Sequence, residues 1–385
     1  MKRLFGLPCL LLGALLAVGG CVRNDDEPEY PKRPIARLYV SIENYQYDEA
    51  REVIDNVVLI DPADTSEMYV ALNHNSEAMG GAGIHFNPFA SRLFQAGYND
   101  TTIRIMTVGE LGNLGNTGRI GNALLKQMRG LAYHKPTELL YVASLATDNE
   151  AGTATIYGFH QPMNRSGYTR PDRVLRLEAG MRPWSMLLWG DSLLVSNSGA
   201  NGGVSLYGHL SQIDSLAPNF QALSNIRIEG AAAIRGIAFV DSLDVLVAAD
   251  YGVMAEDGTR ISDGKVYVIE GIKSYLEQPS ATVSPTRTIS GALTGLTGPV
   301  DVAVDPRGGA GRRTIFVADR EAHTISRFPL SAEGNVAPEG VVNLDVTTNP
   351  NSPLTSRSPF GIYFDVRGDS ETEQPENGTV SGAVR

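Results

Sequence analysis

Six related phrases recur along the chain, and in four of them the place just before the apolar run is held by a residue that could grip a ligand: Arg129, Trp184, Arg235 and Phe360. Ala82 and Val300 hold the same place in the other two. A guanidinium offers a planar fork of N–H donors that suits carboxylates and phosphates, and an aromatic face attracts cations and stacks on rings. Gathered around one opening, these four residues would hold an anionic or planar ligand. Packed between neighbouring elements, the aromatics would instead wedge those elements and the arginines would pair with acidic loops.

The elements that position them follow from the repeat. Aligned on IRGIAFVDSLDVLVAADYG (234–252), the chain gives GAGIHFNPFASRLFQAG (81–97), MRGLAYHKPTELLYVAS (128–144), RPWSMLLWGDSLLVSN (182–197) and GPVDVAVDPRGGAGRRTIFVAD (298–319), with the half-phrase SPFGIYFD at 358–365. Each full copy reads as strand, turn, strand. A third run rich in β-branched and aromatic residues follows (TIRIMTV, TATIYGF, GVSLYG, KVYVIE, HTISRF), then a proline-bearing loop and a fourth short run such as RVLRL or NIRIE. Four antiparallel strands per unit predict propeller blades. The closing half-phrase supplies a first strand with nothing after it, whereas the folded part begins with a second strand, ARLYVSI, followed by NVVLID and EMYVAL. Joined, the two ends complete one blade, remove the open sheet edges and predict an all-β, six-bladed β-propeller over residues 36–366.

The phrase GPVDVAVDPRG with TIFVADREAHTISRF resembles the NHL-type or YVTN-type propeller repeat. The likeness extends over most of 36–366, is closest in blades 5 and 6 and weakest in blade 2. It implies a propeller fold, and members of these families include protein-binding, RNA-binding and lyase proteins, so it selects no activity. In an up-and-down blade the start of the inner strand and the end of the second strand share one face. The second strands and the loops after them place Tyr45 in blade 1, Asn197 in blade 4 and Tyr251 in blade 5 beside the first column. The longest loops on this face, about 43–55 and 250–264, belong to blades 1 and 5. Resemblance to lactonase-like propellers, some of which hold a calcium-like ion at the mouth, implies Glu43, Asn197, Asp250 and Asp319 as a possible ligand set. Aspartates ending such strands also serve as turn-makers.

Other chemistry finds little support. The string WGDSLL (189–194) resembles a serine-esterase signature, but no Asp-x-x-His exists in the chain and VDSLD recurs at 240–244, which marks a turn. The six histidines fall in no paired metal-ligating pattern. His85 and His134 lie within inner-strand runs, where a packed ring is expected. The aspartates of 250–264 fit no EF-hand spacing.

The N-terminus reads as an export signal: Met1-Lys2-Arg3, then an apolar run from Leu4 to Ala17 too short for a typical membrane span. VGGC at 18–21 resembles the lipobox of bacterial lipoproteins, which implies cleavage after residue 20 and acylation of Cys21. The NDDE that follows resembles the acidic motif of surface-exported lipoproteins. Losing Lys2 and Arg3 from the 32 basic residues leaves 30 against 43 acidic ones, a net charge of −13, which argues against a nucleic-acid partner. Of the two cysteines only Cys21 remains, so no internal disulfide forms. Residues 21–35 read as a flexible acidic tether and 367–385 as a disordered tail. The expectation is an outer-membrane lipoprotein whose propeller binds an extracytoplasmic protein, peptide or glycan, with the lipid bilayer contacting acylated Cys21 and no cofactor needed for folding. The alternative is a calcium-dependent, lactonase-like hydrolase or lyase acting at the channel mouth.

Overall fold

The computed structural model describes residues 35–47, 52–145, 153–199, 202–307, 312–346 and 355–367. The segments read as signal peptide, tether and tail, Cys21 included, lie outside the described residues except at their inner ends, where the Ile35 amide donates to the Arg367 carbonyl. The described chain is a six-bladed β-propeller. Blade 1 pairs the C-terminal strand Pro359–Asp365 with Arg37–Ile42, then Val57–Ile60 and Val70–His74. Arg37 faces Asp365 and Ser41 faces Gly361 in this closing register, so the two ends share one sheet as the half-phrase implied.

Strands buried on both faces explain why the sequence runs are almost continuously apolar. Leu38, Val40 and Ile42 pack toward blade 6 with Ala303, Phe316 and Ile325, whereas Tyr39 points the other way into a layer with Phe86 and Leu93 of blade 2. Five further copies of this alternation give six apolar layers, one between each pair of neighbouring blades.

The structure adds what the repeat did not carry. The outer strand expected at EMYVAL lies at Val70–His74, slightly later in the chain. Three of the proline-bearing loops also contribute short parallel strands to the preceding blade. Gly167–Tyr168 joins blade 2, Leu216–Phe220 joins blade 3 and Ser280–Val283 joins blade 4, so these blades carry five strands rather than four. Ile289 and Gly334 make the same parallel link between blades 5 and 6 as an isolated bridge. These lendings cover outer edges that would otherwise expose unpaired N–H and C=O groups.

A cationic and aromatic rim at the channel mouth

Every inner strand carries a β-bulge, and the bulge falls at the first-column residues. Pairing skips between Gly81 and Ile84, Met128 and Leu131, Pro183 and Met186, Ile234 and Ile237, and Pro299 and Asp301, while in blade 1 Phe360 is left unpaired between Pro359 and Gly361. An extra residue bends a strand and redirects its side chain. Ala82, Arg129, Trp184, Arg235, Val300 and Phe360 are thereby turned to one end of the central channel. The residue that follows each is Gly83, Gly130, Ser185, Gly236, Asp301 or Gly361. At this level the inner strands nearly touch: a Cβ on Gly236 would lie 2.2 Å from Asp301 Cα, and one on Gly130 would lie 2.7 Å from the Met186 amide nitrogen. Below is a small cavity lined by Gly83, Gly130, Ser185, Asp301 and Gly361 together with His85. His85 is buried with its ring edge-on to Tyr363 at 5.1 Å, and burial pushes its pKa down to about 3.

Side chains at the mouth form a closed ring. Trp184 stacks on Phe360 at 4.8 Å, and Phe360 meets Tyr98 at 5.5 Å. Tyr98 bonds Glu43, whose two carboxylate oxygens accept from Arg320 Nε at 2.5 Å and Nη2 at 2.9 Å. Arg320 also donates to Glu321 at 2.7 Å, and Glu321 accepts the Tyr251 hydroxyl. The Tyr251 ring carries the Arg235 guanidinium 3.2 Å above its centroid, and Arg235 returns to Trp184 at 4.1 Å. Arg129 from blade 3 reaches the same aromatics, 4.7 Å from Trp184 and 5.4 Å from Phe360. All six blades thus contribute to one rim.

The electrostatics of this rim are unequal. Hydrogen bonding to Glu43 raises the Arg320 pKa, and burial raises the Tyr98 and Tyr251 hydroxyls. Burial tends to raise Glu321, but its bonds from Tyr251 and Arg320 outweigh that and hold its carboxyl below the usual range. Burial lowers Arg129, and it lowers Arg235 to about 10, with the charges of Arg320 and Arg129 acting in the same direction. The Nε atoms of both are buried without a hydrogen-bond partner. Among the described residues, no carboxylate lies within ion-pair distance of either guanidinium.

Arg129, Trp184, Arg235, Phe360 and Tyr251 come together at one rim. Phe360 and Tyr251 are almost fully buried and wedge the blades, while the arginines are mounted on them rather than paired with acidic loops. Tyr45 is half-buried, and its carbonyl accepts the Ile54 amide where the blade 1 loop returns to the sheet. The long loops of blades 1 and 5 form two-stranded hairpins, Gln46–Tyr47 with Glu52–Val53 and Val253–Met254 with Arg260–Ser262. The repeat does not single out Tyr98, Arg260 or Glu321. Tyr98 and Glu321 follow second strands and Arg260 lies on the blade 5 hairpin, places where the repeat sets no residue type.

The calcium-type set does not fit a hard cation as it is arranged. Asp250 accepts the amides of Ala232 at 2.9 Å, Ala233 at 2.8 Å and Gly252 at 3.1 Å. Asp319 accepts those of Thr297, Gly298, Glu321 and Ala322 between 2.7 and 3.1 Å. Asn197 Oδ1 accepts from the amides of Arg182 and Gly199, and Glu43 is held by Arg320. Oxygens aimed at by N–H donors are poor ligands for a cation. Among the described residues, no group of three or more acidic, histidine or cysteine side chains is arranged to hold a metal. These residues instead share a structural task. In each of five blades an Asn or Asp that ends the second strand or closely follows it ties down the segment entering the inner strand: Asn44 to Ser358, Asp100 to Met79, Asn197 to Arg182, Asp250 to Ala232, and Asp319 to Thr297. In blade 3 the Ser144 hydroxyl donates to the Lys126 carbonyl instead. The clamp accounts for the polar ending that recurs in the repeat.

No protein-family model and no curated protein sequence matches the chain. Among solved structures it is similar to a candidate 6-phosphogluconolactonase from Bacteroides fragilis NCTC 9343, with a TM-score of 0.52 and 11% identity over 86% of this chain and 98% of that one. Another from Bacteroides uniformis ATCC 8492 gives 0.46 and 11% over 86% of this chain and 100% of that one. At such identity the first of these likenesses carries architecture alone: the chain shares the propeller fold of a candidate lactonase.

Proposed function

We propose that the chain is a non-enzymatic binding module of the cell envelope, anchored in the outer membrane through acylated Cys21, with the rimmed face of its propeller offered to an extracytoplasmic protein, peptide or glycan. One observation carries this reading. On a chain of net charge −11, the mouth gathers four arginines (Arg129, Arg235, Arg260 and Arg320) against two glutamates, on a rigid aromatic base contributed by several blades. Rigid concave surfaces with a few convergent polar groups are the usual form of a ligand site. The VGGC box supports the anchor.

A metal-dependent, lactonase-like hydrolase or lyase at the same mouth is the competing reading, in keeping with the candidate lactonase that shares the fold. Purified protein applied to glycan and peptide arrays, before and after EDTA, separates the two when combined with a screen of lactones and esters. Array binding that survives chelation, without turnover, is expected. Turnover abolished by EDTA and restored by calcium would replace the binding role with the enzymatic one.

A further inference from the structure

Arg129 and Arg235 belong to blades 3 and 5, yet both lean on the indole of Trp184 from the blade between them, at 4.7 and 4.1 Å. Aromatic rings cover their planar faces, so the N–H donors that remain lie at the guanidinium edges. Arg320 is already taken by Glu43 and Glu321, and the Tyr251 hydroxyl also donates to Glu321. The rim therefore keeps two guanidiniums that make no ion pair among the described residues, although the charge of Glu43 acts on Arg129, and Arg129 repels Arg235. An anion that touched both guanidiniums would relieve that repulsion and use their edges.

We propose that the mouth is a receptor for a phosphate monoester, with Arg129 and Arg235 donating to different oxygens of one phosphoryl group while the remainder of the ligand stays outside the rim. The proposal rests on the binding role given above and names the chemical class of ligand. Two arguments favour phosphate over a carboxylate. A carboxylate has two oxygens, which a single guanidinium fork engages together, as Arg320 does with Glu43; a phosphoryl group has three terminal oxygens and can be shared by two forks. Near pH 7 a phosphate monoester also carries close to two negative charges, matching the surplus at the rim.

The full soluble propeller can be titrated calorimetrically with inorganic phosphate, with glycerol 2-phosphate and with acetate at matched ionic strength. Both phosphates should bind, and acetate should bind about tenfold more weakly or less. R129Q and R235Q should each weaken phosphate binding by about ten- to hundredfold, the range for losing a hydrogen bond to a charged group. Should either variant fold poorly by circular dichroism, wild-type protein alone gives a second reading, since affinity should climb between pH 5.5 and 7.5 as the phosphate loses its second proton. Tighter binding of glycerol 2-phosphate assigns the site to a phosphorylated glycan or headgroup, and tighter binding of inorganic phosphate assigns it to the free anion. Equal affinity for phosphate and acetate, or phosphate affinity unchanged in both folded variants, overturns the proposal. Neutral array ligands bound under those conditions would leave the broader binding role standing.

Discussion

Asp301, in the bulge of blade 6, accepts the amide of Ile362 in the closing strand of blade 1 at 2.8 Å and its neighbour Val302 at 3.0 Å. It is the one charged side chain in a ring otherwise made of Gly83, Gly130, Ser185, Gly236 and Gly361. Burial pushes its pKa up to about 7, although both amides pull it down. The folded state thus holds this proton more tightly than the unfolded chain does. Its contribution to stability is fully present below about pH 4 and is lost as pH rises through 7. His85 acts in the opposite sense: its pKa lies near 3, so its contribution is present above about 6.5 and is lost as pH falls through 3. Asp301→Asn removes the first dependence and leaves the second. Urea unfolding between pH 4.5 and 8.5 should show the wild type losing about 1–3 kcal/mol relative to D301N across that range. Parallel curves would show that the carboxyl is not perturbed.

Asp250 gives a sharper separation of structural from metal-dependent behaviour. Asp250→Ala leaves the amides of Ala232, Ala233 and Gly252 without their acceptor in a largely buried setting. Such a loss costs about 1–3 kcal/mol, and for a propeller of this size each kcal/mol should lower Tm by about 2–4 °C or less. EDTA should leave the wild-type Tm where it was. A calcium-dependent Tm that disappears in D250A would reassign the residue as a metal ligand.

The repeat made the ring legible because this propeller largely buries both faces of the inner three strands of each blade, leaving long apolar runs whose spacing survives in the sequence. Closure could be read from SPFGIYFD for the same reason: an inner strand without a successor needs a partner elsewhere in the chain. The lent strands were hidden because LAPNF and SATV are short, carry a proline inside or just before them and pair in parallel, so they lack the alternation that marks a strand. At the rim, the bulged column could be read because it has a fixed offset from each inner strand. Tyr98, Glu321 and Arg260 could not, because they come from loops whose lengths differ between blades. The aspartates were chemically ambiguous. An Asp that accepts several amides and an Asp that ligates calcium look alike until the direction of the N–H groups is known.

Cys21 carries the proposed anchorage; no helix among the described residues is long and apolar enough to cross a membrane. Cys21→Ala expressed in a Gram-negative host should incorporate no labelled palmitate and should leave the membrane pellet for the soluble fraction, with the propeller still folded. One acyl chain alone holds a protein only weakly, so stable pelleting of the unaltered chain should require more than one. Labelled wild type that stays soluble, or C21A that still pellets, would remove the anchor from the proposed role.

The closing strand makes the firmest demand on the fold. Ending the chain at residue 354 removes Ile362, Tyr363 and Phe364, which fill the layers on both sides of blade 1, and Phe360, which packs into the layer between blades 2 and 3. It also strips the pairing partner from Arg37–Ile42, leaving an apolar edge open to other chains. Each of these large side chains contributes about 1.5–3 kcal/mol through burial, so their combined loss is comparable with the whole net stability of a domain. The truncated protein should unfold without a cooperative transition and should self-associate on a sizing column. A synthetic peptide spanning 355–367, added in trans, should restore a single transition, because the register from Arg37 opposite Asp365 to Ser41 opposite Gly361 does not require the covalent link. A truncated chain that melts cooperatively as a monomer would show that five blades and an open sheet suffice, and that the rim around Phe360 is not what holds the ring shut.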